Sequence, residues 1–159
     1  MTTVYVGVGS NVDREKHVKA AFTALSSVAS ELRSSRVYEC DPVGFDSQPF
    51  YNLVFEVETD LSLVEFSHFL RETEITWGRE KQAQKYQDRT LDLDILLFGD
   101  LVSTASPQIP RDDIFKYPFV IQPLYELCPE RVVPGDGRTV QQIWWQMDGY
   151  DTLSPVDFL

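Results

Sequence analysis

The chain has 159 residues, with 25 acidic and 14 basic side chains and a formal net charge of -11. That balance excludes a general nucleic-acid surface, whose affinity comes from cations that neutralise phosphates, and no apolar run approaches the length needed to cross a bilayer. At 43% hydrophobic and 25% charged, residues 1–159 have the composition of a single domain with enough apolar side chains for a sizeable core.

The opening MTTVYVGVGSN lacks a basic region ahead of its apolar stretch, so a soluble, cytoplasmic protein is expected. Its first strand is Val4 to Val8, with Val4, Val6 and Val8 on one face, ending among Gly7, Gly9 and Asn11. GVGSN lacks the third glycine of a dinucleotide-binding fingerprint, and the element order is wrong for that fold. Asp13 is a candidate N-cap for a helix in which Val18, Ala21, Phe22, Leu25 and Val28 recur at helical spacing. Arg33 to Tyr38 reads as a second strand, running into CDPVGFDSQPF, where Pro42, Gly44 and Pro49 indicate an ordered loop.

Leu53, Phe55 and Val57 alternate with Asn52, Val54, Glu56 and Glu58 in a third strand. Ser62 with Glu65 forms a capping box for a helix carrying Leu63, Phe66 and Leu70 and ending near Gly78. Residues 78–90, GREKQAQKYQDRT, concentrate Arg79, Lys81, Lys85 and Arg89 against Glu80 and Asp88. Such a basic segment is either a solvated loop or part of a phosphate site, and the two strand aspartates directly after it favour the second. In DRTLDLDILLFGD, period two places Leu91, Leu93, Ile95 and Leu97 on one face and Asp92, Asp94, Leu96 and Phe98 on the other.

The order β-α-β-β-α-β is the ferredoxin-like split βαβ pattern of an α+β sandwich, followed by short C-terminal helices over Val120–Leu127 and Thr139–Met147. Cys40 and Cys128 show no metal or disulfide spacing and read as buried thiols. His17 and His68 have no partners at ligand spacing, so they read as surface or internally satisfied histidines.

Same-face neighbours on a strand lie roughly 6–7 Å apart. Two carboxylates so placed are costly to keep ionised in a partly buried site without a cation. Mg²⁺ suits them, because it takes one or two carboxylates together with waters and substrate phosphates. The alternative is an exposed strand face where both aspartates meet only water.

GSN at 9–11, DPVG at 41–44, FYN at 50–52, GR at 78–79, RTLDLDILLFG at 89–99, IP at 109–110 and FVIQPLYEL at 119–127 together resemble the hydroxymethyl-dihydropterin pyrophosphokinases of folate biosynthesis. The likeness runs from the first strand to about residue 147. It implies transfer of pyrophosphate from ATP to the hydroxymethyl group of a reduced pterin, with release of AMP. It also implies that Asp92 and Asp94 hold two Mg²⁺ ions, that Asn52 hydrogen-bonds the pterin edge, that Phe50 and Phe119 stack on its faces, and that Cys40, Asp41 and Val43 complete that pocket. On the nucleotide side it implies Glu74, Arg79, Lys81, Tyr86, Arg89, Ile95 and Arg111, with Arg79 and Arg89 also serving the chemical step. A monomer whose only partners are ATP and the pterin is expected.

Several positions depart from the family pattern. Tyr86, Gln87 and Asp88 replace a Trp-Gly-Pro, Lys81 stands where an arginine is usual, Arg111 follows Ile109 and Pro110 where a histidine is common, and Tyr117 occupies an arginine position. These changes gather on the nucleotide side. They keep open a binding paralogue with little turnover, and a DxD strand alone would also serve another two-metal nucleotidyl or phosphoryl transferase on this fold.

Overall fold

The computed structural model describes residues 1–78 and 87–159. Its elements are β1 (Thr2–Ser10), α1 (Arg14–Ser26), β2 (Glu31–Ser34), β3 (Val37–Cys40), β4 (Phe50–Thr59), α2 (Leu63–Thr76), β5 (Asp92–Phe98), α3 (Pro118–Leu127), α4 (Val140–Gln146) and β6 (Ser154–Val156), with 3-10 turns at Asp112–Phe115 and Tyr150–Thr152. The sheet runs β5-β1-β4-β3-β6 with β2 also on β4, and every pairing is antiparallel. This is the ferredoxin-like arrangement, extended by β6 and the last two helices.

The single strand expected over 33–38 is divided. Ser35 donates its N–H to the Val54 carbonyl at 3.0 Å, while its hydroxyl oxygen accepts the Val54 N–H at 2.9 Å. A side-chain oxygen thus replaces a main-chain acceptor, and β2 and β3 meet β4 as two short pieces. β6 has no counterpart among the expected elements; it pairs with β3 from Val37↔Val156 to Glu39↔Ser154.

Two apolar clusters lie on opposite sides of the sheet. Val4, Val6, Val8, Leu53, Phe55, Val57, Leu93 and Ile95 pack with residues of α1 and α2, including Val18, Leu25, Phe66 and Leu70. Tyr5, Val54, Leu96 and Leu97 pack with α3 and α4 through Ile121, Leu124, Val140 and Ile143. The expected alternation of β5 therefore fails at one point. β1 and β5 slip register between Tyr5 and Val6, leaving Leu96 as the extra residue of a bulge. Leu97 joins Leu96 on the α3 side instead of lying with Leu91, Leu93 and Ile95, and Phe98 turns to the first cluster.

The Ser62–Glu65 capping box is present in both directions, at 2.9 and 3.2 Å, and Gly78 follows the C-cap of α2 at φ +105°, a conformation that suits glycine. Asp13 stands at the N-cap of α1 without a side-chain capping bond; its φ is +44°. His17 is buried, with Nδ1–H donating to the Val12 carbonyl at 2.6 Å, so it is a satisfied histidine; His68 is exposed. Cys40 and Cys128 are free thiols, the first buried and the second half-buried. Among the described residues no helix is long and apolar enough to cross a membrane.

Candidate active site

The α3 face of the sheet is not fully covered, and the register explains the opening. β4, β1 and β5 set Asn52, Gly9 and Asp92 in one cross-strand row and Val54, Gly7 and Asp94 in the next. Paired residues on an antiparallel sheet share a face, so two glycines lie between the aspartates and the β4 side chains. A Cβ on Gly9 would meet Asn52 Oδ1 at 3.2 Å and the Phe50 ring at 3.7 Å; one on Gly7 would meet Leu96 at 3.3 Å. The glycines thus form the floor of a cavity of about 520 Å³, a size suited to a small molecule.

One wall is aromatic and comes from the expected loop. Cys40, Asp41, Pro42, Val43, Phe45 and Phe50 all line the cavity, and Phe45 meets Phe50 edge-on with ring centroids 6.4 Å apart. Asn52 donates Nδ2–H to Cys40 Sγ at 2.9 Å, which turns its carbonyl oxygen toward Gly9. Burial pushes the Cys40 thiol up to about 11, the Asn52 hydrogen bond only partly opposing this. Across the cavity Phe119 lies against Tyr117 in a stacked pair, centroids 4.9 Å apart.

The other end is charged. Asp92 and Asp94 line the cavity with Gln87, Arg89, Arg111, Asp113 and Lys116. Burial, and then the neighbouring Asp92 charge, push the Asp94 carboxyl well above the usual carboxylate range, against the pull of Arg111. The Arg111 guanidinium sits between two carboxylates, with Nη2 3.5 Å from Asp94 and Nε 2.9 Å from Asp113. Its backbone N–H donates to the Leu96 carbonyl at 2.9 Å, which anchors the segment to the bulge.

Of the expected site residues, Cys40, Asp41, Val43, Phe50, Asn52, Phe119, Arg89, Asp92, Asp94 and Arg111 are brought together around this cavity. Arg79, Lys81 and Tyr86 lie outside the described residues. Glu74 and Ile95 do not line it. Ile95 is core on the opposite face, and the buried Glu74 carboxylate accepts the Leu93 N–H at 2.8 Å from behind the sheet. Gly7, Gly9, Phe45 and Asp113 were missed. GVG carried the only sequence signal for the first two, and their role depends on register, which the motif does not disclose.

Among the described residues no group of three or more His, Cys, Asp or Glu side chains could hold a metal ion. Asp92 and Asp94 could supply two carboxylate ligands to a hard cation whose other ligands are water or phosphate oxygens. The single Arg111 guanidinium is shared between Asp94 at 3.5 Å and Asp113 at 2.9 Å, so the donor set fits such an ion.

A ferredoxin-like sheet carrying an aromatic-amide pocket beside an acidic, arginine-flanked end defines a small-molecule enzyme of the phosphate-transfer class. The family model for 7,8-dihydro-6-hydroxymethylpterin-pyrophosphokinase (HPPK) matches residues 5–129, and the chain belongs to that family. It is 34% identical over 139 residues to the 2-amino-4-hydroxy-6-hydroxymethyldihydropteridine pyrophosphokinase of Haemophilus influenzae, covering 84% of this chain and 86% of the relative. The same enzyme of Bacillus subtilis is 31% identical over 156 residues, covering 92% and 93%. Among solved structures, Plasmodium falciparum HPPK-DHPS shares the fold at a TM-score of 0.72 and 11% identity over 98% of this chain, which spans 47% of that longer chain.

Proposed function

We propose that the protein transfers the terminal pyrophosphate of ATP to the hydroxymethyl group of 6-hydroxymethyl-7,8-dihydropterin. The hydroxyl oxygen bonds to the β-phosphorus and gives up its proton to solvent, the bond from that phosphorus to the α–β bridging oxygen breaks, and AMP leaves. One observation carries this reading: Asn52 and Asp92 share a cross-strand row with only Gly9 between them. Two inter-strand spacings separate them by roughly 9–10 Å. That is the span from a pterin ring edge, past its hydroxymethyl arm, to a phosphate chain.

Phe50 and Phe119 would sandwich the flat heterocycle while Asn52 fixes its edge, the ordinary use of rigid aromatics and an amide in a ligand pocket. Arg89, Arg111 and Lys116 would bind phosphate oxygens, with Arg79, Lys81 and Tyr86 serving the same side, and Asp92 and Asp94 would hold two Mg²⁺ ions. Bound there, such ions neutralise charge developing on the phosphates. Binding both substrates on one rigid sheet converts the encounter into an in-line approach within a single complex. Residues 1–159 act in this reading as one pyrophosphokinase domain and as a monomer.

Incubating the purified protein with ATP, Mg²⁺ and the hydroxymethyl-dihydropterin should release AMP in step with pterin pyrophosphate. ADP or free pyrophosphate as the product would contradict the assignment. Tight pterin binding without AMP would identify a binding paralogue, as the stacking of Tyr117 on Phe119 at a common arginine position would permit.

A further inference from the structure

The helix α1 begins against its own local preferences. Asp13, its N-cap, holds a left-handed backbone at φ +44° without a side-chain capping bond, and Arg14 then places a cation at the first helical position. A left-handed backbone is uncommon outside glycine, and a positive charge beside a helix N-terminus opposes the helix dipole. Neither feature helps the helix, so contacts elsewhere offset them.

Those contacts belong to Arg14. Its Nη1 donates to Glu39 Oε2 at 2.6 Å and to the Pro49 carbonyl at 3.2 Å, and its guanidinium carbon lies 4.0 Å from the centre of the Tyr51 ring. With side chains 26% and 38% exposed, the Arg14–Glu39 pair adds little stability as an ion pair. What it contributes is geometry.

Glu39 and Tyr51 are cross-strand partners on β3 and β4, in the row between the Cys40–Phe50 pair and the Tyr38–Asn52 pair. Tyr51 packs in the cluster on the α1 side, whereas its neighbours Phe50 and Asn52, and Cys40 next to Glu39, face the cavity. Arg14 therefore grips, from the opposite face of the sheet, the row on which the aromatic-amide wall stands. Through the Pro49 carbonyl it also fixes the point at which Phe50 enters β4. Asp92 and Asp94 lie on β5, beyond β1 from this row.

We propose that Arg14 is a positioning residue that holds Cys40, Phe50 and Asn52 in the arrangement that receives the flat heterocycle, setting the affinity of that end of the cavity without lining it. Side chains that form a pocket are only as well placed as the residues that support them. The identity of the ligand rests on the pterin reading; the grip on the two strands does not.

Binding of 6-hydroxymethylpterin, an unreactive oxidised analogue, can be measured by calorimetry in saturating Mg²⁺ and α,β-methylene-ATP. Arg14→Met keeps the apolar stem, and Phe158, whose ring stacks on Tyr51 at 5.5 Å, still supports that ring, so the variant should fold. It should weaken pterin binding by about tenfold. The KM for pterin should rise to match, while kcat and the affinity for the nucleotide analogue stay within about twofold of the parent. Unchanged pterin affinity, or equal losses for the two ligands, would overturn the proposal. Glu39→Ala, which frees the guanidinium from β3, should raise the same KM selectively; it decides the matter if Arg14→Met does not fold, and an unchanged KM would overturn the proposal.

Hydrogen exchange of the ligand-free protein supplies a readout independent of substrate identity. Arg14→Met should speed exchange at residues 39–41 and 50–52, and faster exchange confined to α1 would overturn the proposal. Failure of the unaltered protein to bind the pterin would remove the substrate assignment, while the exchange comparison would still decide the grip.

Discussion

The Glu74 carboxylate accepts the backbone N–H of Leu93 at 2.8 Å, the one residue that separates Asp92 from Asp94. A helix side chain thus grips the aspartate strand from the core side, with Arg71 Nη1 3.7 Å from its other oxygen. Glu74→Ala should lower the free energy of unfolding by about 1–3 kcal/mol, because a buried N–H loses its acceptor. Glu74→Gln keeps a carbonyl oxygen there and should lose less. Urea denaturation of the two variants checks the ordering, and an alanine variant as stable as the parent would contradict this role.

Asp92→Ala and Asp94→Ala should each cut AMP release by about a thousandfold or more, since charge stabilisation worth several kcal/mol is lost. Neither should disturb the fold. For Asp94 the structure gives a second expectation. Burial and the Asp92 charge outweigh the attraction of Arg111 at this carboxylate, so Asp94→Asn should raise the melting temperature of the metal-free protein while removing activity. A fall in melting temperature would show that the ion pair with Arg111 dominates.

Gly9→Ala should act on ligand binding more than on folding. Gly9 lies within β1, so its backbone accepts an alanine, but the added methyl meets Asn52 Oδ1 at 3.2 Å and Phe50 at 3.7 Å. Removing the opposite aromatic, in Phe119→Ala, withdraws a stacking face worth about 1.5–3 kcal/mol, or about 10–100-fold in pterin affinity. Both variants should raise the KM for pterin while leaving that for ATP nearly unchanged. Equal rises in the two would place the pterin elsewhere.

The thiols supply a pH test. Burial pushes both Cys40 and Cys128 up to about 11 from an ordinary value near 9. Because the folded state keeps its thiols protonated to higher pH than the unfolded chain does, their contribution to stability is complete below about pH 9. It is lost as the pH rises toward 11. Only thiolate reacts with alkylating agents, so iodoacetamide at pH 8 should modify the folded protein slowly and the urea-unfolded protein quickly. Rapid labelling of Cys40 in the folded state would contradict its burial beside Asn52.

Much of the scaffold was legible because its signals are local. The Ser62–Glu65 box, the stop at Gly78, the α2 stripe and the helices after Tyr117 and Thr139 each depend on residues a few positions apart. Contacts spanning the sequence were not legible in that way. Ser35 breaks a strand by pairing with Val54, the three residues of β6 contain Pro155, and the Leu96 bulge leaves no mark in an unbroken run of apolar residues. The aspartate dyad was legible in the period-two alternation of β5, and the aromatic pocket came through the family resemblance, which brought Phe50, Asn52 and Phe119 to the cavity that Asp92 and Asp94 line. It could not show that Gly7 and Gly9 form the floor between them. Nor could it reveal Arg111 lodged between Asp94 and Asp113.

The bulge at Leu96 also divides labour along one strand. Up to Ile95, β5 alternates strictly, carrying the aspartates above and the first core below; from Leu96 on, two successive side chains serve the α3 and α4 layer. A length change beyond the bulge would shift only Leu97, Phe98 and what packs on them, whereas the same change before it would turn Asp92 into the core and a leucine into the cavity. The C-terminal layer can therefore be remodelled, by drift or by design, while the acidic end keeps its register with Gly7 and Gly9. Indels in β5 should be tolerated on one side of residue 96 and lethal to activity on the other.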